Sequence, residues 1–298
     1  MEGFYFDTYV QVKIYARNLI KAKKTIKQLE KEFSRIDQIP VNGINGKVLD
    51  TTVIHIIKGS LTISKMTNGF FDPTVDPILS KWNYFKKPVM PLRKEIDSLL
   101  SFVDYRKVKV NHNTLSLPKG FSLTLGGSAK GYALNRGKKI LNEMGISSGL
   151  ISAGGDIALI GKKGRKKNWV IGIRDPRDKN HIIGTLRLSD CFIMTSGDYE
   201  RYFFYNNRRY HHIINPFTGY PARGLQSVTL IGNDGLIDDC LSTALFAMGY
   251  KRAEKFAKDN RLEAIMVDST GKIHKFIKRS QFKKYGEKGS RILQYNKR

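Results

Sequence analysis

The sequence has 298 residues, and its 52 Lys and Arg outnumber its 26 Asp and Glu, which gives a formal net charge of +26. A chain of this length can bury a full core. Cys191 and Cys240 lie in apolar surroundings without metal-site spacing, so we expect both to be core residues. No run of about 18 apolar residues occurs, so no membrane-spanning helix is predicted. We expect one domain over residues 1–278, followed by a basic tail over residues 279–298.

The excess of basic residues has three explanations. The lysines could form a solvated surface, attract the protein to an anionic membrane or an acidic partner, or bind nucleic acid. Basic runs cover residues 162–167 and the stretch from Lys275 onward, and neither carries the regularly spaced aromatic residues that stack on bases. Specific nucleic-acid binding is therefore the least favoured explanation, and the other two stay open.

The N-terminal end bears on the location of the protein. Met1 leads directly into a strand pattern that includes Phe4, Phe6 and Val10, and this pattern does not read as a signal peptide. We expect a cytoplasmic protein if Met1 is the native first residue. We expect a membrane-associated or exported protein if an N-terminal segment was removed.

Apolar periodicity predicts helices and strands in the first part of the chain. The apolar face of the first helix carries Leu19, Ile20, Ala22, Ile26, Leu29 and Phe33. In chain order we predict a strand over 4–14, a helix over 16–36, a loop over 37–46, a helix over 48–66, a turn-rich stretch over 70–77, a helix over 93–103 and a hairpin near 112–114.

Residues 123–131 read Leu-Thr-Leu-Gly-Gly-Ser-Ala-Lys-Gly. We predict a strand over 121–125, a glycine turn, and a helix over 130–144 that stops at Gly145. Gly126 and Gly127 remove two side chains, so the backbone can lie against a ligand. Free amides at such a helix start bind anions, and Lys130 adds a charge that could reach a phosphate. The alternative is a tight turn that binds nothing.

The remainder of the chain is predicted to be mostly strands with one long helix. The pattern predicts strands within 149–160 around a turn at 153–156, a basic hairpin tip over 162–167, strands at 169–173, 182–188, 192–195 and 227–231, a helix over 238–259 and a strand over 263–267.

Asp239 and Thr243 are four residues apart, so their oxygens project from one face of the predicted helix. A carboxylate and a hydroxyl placed in this way suit a hard cation such as Mg²⁺. The alternative is that Asp239 or its neighbour Asp238 caps the helix and that Thr243 bonds to a backbone carbonyl one turn earlier.

His211 and His212 are the only adjacent histidines, and they lie beside a Pro-Phe-Thr-Gly turn. One of them could face a ligand, and each could equally be a structural hydrogen-bonding residue.

Six short segments of the sequence, taken together, carry a resemblance to a known family. They are GFFDPTV at 69–75, LGGSAKGYA at 125–133, AGGDI at 153–157, TSGDY at 195–199, the stretch from HIINP to TGYP over 212–221, and DCLSTAL at 239–245. In this order they resemble the FAD:protein FMN transferase (ApbE) family, and the resemblance runs from about residue 4 to about residue 275.

The resemblance implies an α+β flavin transferase fold, with mixed sheets, flanking helices and two lobes around a central site for FAD and Mg²⁺. It implies a Mg²⁺-dependent transfer of FMN from FAD to a Thr or Ser hydroxyl of an acceptor flavoprotein, a subunit or domain of a redox complex, with release of AMP. Carried over by position, the metal ligands are the Gly127 carbonyl, Asp239 and Thr243. The catalytic residues are His212 and Asp239, and the FAD-binding residues are Phe70, Phe71, Asp72, Thr124, Lys130 and His212.

The sequence departs from the family pattern at three places. The family usually has Asp at the positions of Thr124 and Asn215, and it has a Tyr-x-Pro-x-Ser-type segment over the flavin where this chain has the short loop 37–46. Two other functions use the same predicted site. One is hydrolysis of FAD to FMN and AMP, and the other is FAD binding without turnover.

Overall fold

The computed structural model describes residues 1–45, 47–84, 86–164, 166–277, 281–284 and 290–291. Within these residues the chain forms seven α-helices. They are α1 (Leu19–Asp37), α2 (Thr51–Met66), α3 (Asp76–Trp82), α4 (Arg93–Leu99), α5 (Ala129–Glu143), α6 (Gly235–Met248) and α7 (Tyr250–Asp259). Short 3₁₀ turns cover Pro73–Val75, Leu100–Phe102 and Tyr105–Lys107. No helix in the described part of the chain has both the length and the apolar character needed to cross a membrane.

The strands are short, and every pairing between described strands is antiparallel. They are β1 (Glu2–Tyr5), β2 (Thr8–Ile14), β3 (Lys47–Val48), β4 (Lys109–Asn111), β5 (Thr114–Ser116), β6 (Gly149–Ala153), β7 (Asp156–Ile160), β8 (Trp169–Arg174), β9 (His181–Leu188), β10 (Phe192–Gly197), β11 (Tyr202–Tyr205), β12 (Arg208–His211), β13 (Leu225–Gly232), β14 (Glu263–Asp268), β15 (Ile273–Phe276), β16 (Gln281–Lys284) and β17 (Ser290–Arg291).

Eight strands form the central sheet in the order β1-β2-β6-β7-β10-β13-β14-β15. One face is covered by helices: Phe33 of α1 and Leu141 of α5 pack with Ile151 of β6. The other face is covered by a small sheet, in which β9 pairs with β8, β16 and β17. Trp169 of β8 packs there against Ile193 of β10. Two sheets with helices segregated to one side form an α+β fold, so the predicted class is confirmed.

Several local predictions are confirmed. Gly145 ends α5 with φ +62°, and the Ile146 amide donates to the Leu141 carbonyl at 2.8 Å, which is the expected glycine C-cap. Strands β6 and β7 form the predicted hairpin around residues 153–156. Cys191 and Cys240 are buried, as expected for core residues.

The N-terminal prediction is wrong in two respects. Residues 4–14 are not one strand, because Phe6 and Asp7 turn with φ of 56° and 55° and form a β1–β2 hairpin. Leu19 and Ile20 do not belong to the buried face of α1, since they are 70% and 80% exposed. The helix begins only at Leu19, where Asn18 caps it, so its first turn extends beyond the sheet surface that could cover it.

Two other element predictions are also wrong. Residues 121–125 form no strand, because only Leu123 makes a β-bridge, with Ile44 of the preceding loop. The helix predicted over 238–259 is two helices, since Gly249 has φ +70° and separates α6 from α7. Asp234 caps α6 by accepting from the Ile237 amide at 3.1 Å, so neither Asp238 nor Asp239 is the cap.

The sequence patterns missed α3 and the two-stranded sheet β11–β12. Part of the predicted basic tail, residues 281–284 and 290–291, pairs with β9. The rest of the tail prediction lies outside the described residues.

Candidate functional site

A cavity of about 490 Å³ lies among α5, α6, the loop 37–45 and the end of β12. All nine predicted site residues line it, although they come from four separate segments of the chain. They are Phe70, Phe71, Asp72, Thr124, Gly127, Lys130, His212, Asp239 and Thr243. The fold therefore brings the predicted residues together at one place, and their individual roles stay predictions.

Gly127 lies directly before α5 and close to α6. A β-carbon at this position would lie 3.0 Å from the Phe71 ring and 3.4 Å from Thr243 Oγ1. The absence of a side chain thus lets the backbone lie next to both residues. This proximity places the Gly127 backbone and the Thr243 hydroxyl on one wall of the cavity.

Two glycines explain how α5 and α6 come so close together. A β-carbon on Gly131 would lie 2.1 Å from the Gly235 carbonyl oxygen, and one on Gly235 would lie 2.5 Å from the Gly131 carbonyl oxygen. The helices can cross at this distance only because both positions lack a side chain. The close crossing lets the Gly131 amide, in the first turn of α5, donate to Asp239 Oδ2 at 2.9 Å. Asp239 therefore occupies the anion position of the α5 N-terminus.

Lys130 forms an ion pair that sequence reasoning missed. Its ammonium bonds to Oδ2 of Asp156, which is 1% exposed, while Asp156 Oδ1 accepts from the Thr195 amide at 2.8 Å. Burial alone would lower the pKa of Lys130, but the charges of Asp156 and Asp239 raise it above its usual value, so the ammonium stays charged. Asp156 lies in the AGGDI segment, where the sequence offered a motif and no role.

Burial raises the pKa of Asp239, the charge of Asp156 raises it further, and Lys130 opposes this effect. An additional cation at the cavity would favour the ionised form of Asp239. Thr243 is oriented by Ser196, whose hydroxyl lies 3.1 Å from Thr243 Oγ1 and 2.8 Å from Ser242 Oγ. We refer to Gly127, Lys130, Asp239 and Thr243 as the helix wall of the cavity.

The donor atoms of the helix wall fit Mg²⁺. They are a carboxylate, a hydroxyl and backbone carbonyl oxygen, and Mg²⁺ prefers oxygen ligands with only one or two carboxylates. The described residues contain no group of three or more His, Cys, Asp and Glu side chains arranged to hold a metal. A cation at this wall would therefore complete its coordination with water or with phosphate oxygens of a ligand.

His212 faces the cavity, and His211 does not. Nδ1 of His212 lies 3.2 Å from the Arg201 carbonyl oxygen, and burial lowers the pKa of His212 to about 3. A carbonyl oxygen can only accept, so Nδ1 carries the proton and Nε2 is left with a lone pair. His211 instead lies with Nε2 2.9 Å from the Ala222 carbonyl oxygen and has a structural role.

Asp72 shapes the wall that carries Phe70 and Phe71. Its Oδ1 accepts from the Thr74 amide at 2.8 Å and from the Thr74 hydroxyl at 2.6 Å, and its Oδ2 accepts from the Tyr105 amide at 2.9 Å. Burial raises the pKa of Asp72, and these bonds oppose the shift. Both oxygens are thus used within the fold, in a cap of the 3₁₀ turn.

Thr124 and the loop 37–45, where the sequence differs from the pattern of the resembled family, are in direct contact. Thr124 Oγ1 donates to Asn42 Oδ1 at 2.7 Å and accepts from the Gly126 amide at 3.1 Å. Next to this tether, Ile39 and Val41 line the cavity together with Phe6. We refer to Phe6, Ile39 and Val41 as the loop wall. It is apolar, and it lies where the sequence lacks the aromatic segment of the family.

Asn215 also departs from the family pattern, yet its local bonds are those of a turn residue. Its Oδ1 accepts from the Phe217 amide at 2.9 Å, and its backbone N–H donates to the Tyr220 carbonyl at 2.8 Å. An Asp side chain at the same position could accept the first of these bonds equally well.

Comparison with known proteins gives consistent results. A model described as "ApbE family" matches residues 6–266. The FAD:protein FMN transferase of Treponema pallidum is 30% identical over 227 residues, which cover 69% of this chain and 62% of that protein. The FAD:protein FMN transferase of Klebsiella pneumoniae is 29% identical over 262 residues, which cover 82% of this chain and 80% of that protein.

A crystal structure of the ApbE protein from Thermotoga maritima has the same fold, with a TM-score of 0.84 at 31% identity. The match covers 92% of this chain and 96% of that one. The structural similarity therefore extends over nearly the whole chain and well beyond the cavity. In the sequence comparison, the chain spans less than two thirds of the length of the Treponema protein.

Proposed function

Because the chain belongs to the ApbE family, whose model matches residues 6–266, we propose that it is a Mg²⁺-dependent FAD:protein FMN transferase. The reaction moves FMN from FAD to a Thr or Ser hydroxyl of an acceptor protein and releases AMP. One observation carries the proposal: the four residues of the helix wall meet at the N-terminus of α5, inside a cavity that also has apolar walls. The Lys130 ammonium and the oxygen ligands for a cation suit the pyrophosphate of FAD.

The helix wall supplies one ammonium group and oxygen ligands. Lys130 is held charged beside the cavity by Asp156, so it need not reorganise when an anionic phosphate arrives. Gly127, Asp239 and Thr243 would hold Mg²⁺. When bound, the ion would neutralise the pyrophosphate and stabilise the AMP leaving group, an effect worth several kcal/mol. The loop wall would cover the apolar flavin ring.

The acceptor hydroxyl must lose a proton as it attacks. In the proposed step its oxygen forms a bond to the phosphorus of the FMN half, the bond from that phosphorus to the AMP oxygen breaks, and the proton passes to a base. The lone pair on His212 Nε2 is free for this role, because Arg201 orients the ring through Nδ1. The negative charge of the bound phosphates would raise the low pKa of His212 toward the range that a base needs. Such proton transfer contributes typically 10²–10⁴-fold to a rate.

The test is an incubation of the purified chain with FAD, Mg²⁺ and a protein extract of source cells from which its gene has been deleted. Transfer predicts release of AMP together with a protein that gains the mass of FMN and its fluorescence under denaturing conditions. Free FMN and AMP without labelled protein would instead establish FAD hydrolysis. Retention of FAD without AMP would establish a binding protein.

We also propose that the acceptor is a redox protein at a membrane and that the charge of +26 concentrates the enzyme there. Each Lys or Arg near an anionic surface contributes about 1 kcal/mol, and salt screens this attraction. Sedimentation with anionic vesicles tests this proposal. Removal of the C-terminal residues is a poor comparison, because the partly buried Phe282 of β16 packs against the core under the small sheet. Variants that replace the lysines of residues 278–298 with glutamine are better suited.

A further inference from the structure

The hairpin of β11 and β12 carries an exposed aromatic surface that the transfer chemistry does not use. Tyr202 is 41% exposed and Phe204 is 61% exposed. The two rings lie edge to face, with centroids 5.6 Å apart. Arg209 pairs with Phe204 across the hairpin and lies on the same face, whereas Arg208 pairs with Tyr205 and lies on the opposite face, near Tyr210. We refer to Tyr202, Phe204 and Arg209 as the hairpin patch.

The hairpin patch is held rigid before any partner arrives. The guanidinium of Arg209 lies 4.1 Å from the centre of the Tyr202 ring and 5.5 Å from that of Phe204. Its Nη1 lies 3.3 Å from Asp198 Oδ1, and Asp198 also accepts two bonds of 2.7 Å from Arg177. Side chains that are already ordered lose little conformational entropy on binding.

The opposite face of the hairpin is anchored in the protein. Phe203 and Tyr210 stack on each other and pack against Trp82, which is fully buried. Asn206 and Asn207 form the turn with φ of 47° and 56°. Among the described residues, β11 and β12 pair only with each other, so the hairpin is a separate two-stranded projection.

The base of the hairpin is part of the cavity. Arg201 precedes β11 and His212 follows β12, and both line the cavity. The His212 amide donates to the Arg201 carbonyl at 3.0 Å and closes the hairpin at this end. A protein bound to the hairpin patch would therefore lie beside the residue proposed to accept its hydroxyl proton.

The composition of the hairpin indicates the chemistry of that partner. Residues 201–212 contain three arginines and no acidic residue. Aromatic residues and Arg are also the types that dominate the energetics of protein interfaces. We propose that the hairpin patch docks an acidic segment of the acceptor protein and so presents the acceptor hydroxyl to the cavity. This inference rests on the proposed function.

The experiment compares variants in the transfer assay with the extract of gene-deleted cells. Phe204→Ser and Arg209→Gln should each lower protein-bound flavin fluorescence about tenfold at low extract concentration. Higher extract concentration should restore much of the loss, because the defect is in docking. FAD affinity, measured by quenching of flavin fluorescence, should stay within twofold of the wild type, since neither residue lines the cavity.

Two controls accompany these variants. Phe4→Ser removes another exposed phenylalanine, 70% exposed on β1, and should label like the wild type. Arg209→Lys keeps the charge and should retain more of the labelling than Arg209→Gln. Wild-type labelling by both Phe204→Ser and Arg209→Gln would overturn the docking surface, and so would a loss explained by weaker FAD binding.

The remaining outcomes separate this inference from the proposed function. If the wild type labels no protein, the proposed function fails and the docking surface fails with it. If the wild type labels proteins and the hairpin variants do so equally well, only the docking surface fails. Binding of an oligothymidylate that Phe204→Ser abolishes, with labelling unchanged, would assign the patch to nucleic acid instead.

Discussion

The helix wall and the loop wall of the cavity are built on different principles. The helix wall depends on the close contact of Gly131 with Gly235, where neither residue has a side chain, and on a buried ion pair between Lys130 and Asp156. The loop wall consists of apolar side chains, and backbone bonds such as Leu125 amide to Val41 carbonyl at 2.6 Å hold its loop in place. Close packing and buried charge tolerate little change, whereas an apolar surface needs only approximate size and shape. Two of the three predicted departures from the family pattern, at Thr124 and in the loop 37–45, lie next to the loop wall, where this difference would allow more change.

The largest effect is expected at Asp239. Asp239→Asn removes the one carboxylate of the proposed metal ligands and should lower AMP release at least about 100-fold, with the fold intact. The amide oxygen can still accept from the Gly131 amide. Asp238→Asn is the matched control, because Asp238 is also buried but accepts from the Asp234 amide and does not line the cavity. Equal AMP release by wild type and Asp239→Asn would contradict the metal assignment.

The next largest effect concerns the buried ion pair. Lys130→Met leaves Asp156 buried without its cation, which should lower the free energy of unfolding by about 3–5 kcal/mol and weaken FAD binding. The double variant Lys130→Met with Asp156→Asn should recover much of the stability, measured by urea denaturation, but not the FAD affinity. If the double variant bound FAD like the wild type, Lys130 would have no role in binding.

Gly131→Ala tests the close helix crossing. The added methyl would lie 2.7 Å from Asp239 Cβ and closer still to the Gly235 carbonyl, so α5 and α6 must separate. We expect a loss of about 1–3 kcal/mol in the free energy of unfolding and a lower rate of AMP release. Gly155→Ala is a comparison at a glycine where an added β-carbon meets nothing within 4 Å, although its φ of +102° adds backbone strain. Unchanged unfolding and AMP release in Gly131→Ala would show that the crossing has room to spare.

The loop wall should respond more weakly. Val41→Ala removes two methyl groups from a surface that would cover the flavin, which should raise the Kd for FAD about fivefold, or about 1 kcal/mol. Turnover at saturating FAD should stay unchanged, because no charged group is altered. A large fall in turnover would mean that the loop wall also positions the reacting phosphates, and the contrast between the two walls would be lost.

The smallest effect is the pH dependence of stability that His211 contributes. Burial lowers the pKa of His211 to about 4, and its ring packs on Phe246 of α6 with centroids 5.3 Å apart. Below the unfolded pKa of about 6.5 the unfolded chain binds a proton that the folded chain excludes, so stability falls as the pH falls from about 7 toward 4. Between pH 7 and pH 6 this histidine should cost less than about 1 kcal/mol. His211→Gln should show a smaller fall in urea denaturation than the wild type.

The sequence by itself determined the features that depend on local bonds. The helix α5 with its stop at Gly145, the hairpin of β6 and β7, and the i,i+4 placement of Asp239 and Thr243 all follow from spacing within one segment. The order of the six motifs was also sufficient to indicate the family. The predictions of the helix, the hairpin and the i,i+4 spacing are confirmed because hydrogen bonds within a turn or a helix do not depend on distant residues.

Only the tertiary structure decided which partners meet. The extended segment 121–125 has a strand pattern but finds only a bridge to Ile44, and Leu19 and Ile20 continue an apolar face past the end of the surface that would bury them. Likewise, no local pattern pairs Lys130 with Asp156, or places Gly131 against Gly235, since these contacts join residues 26 and 104 positions apart. Burial and charge pairing are properties of the folded whole, and they give the helix wall its chemistry.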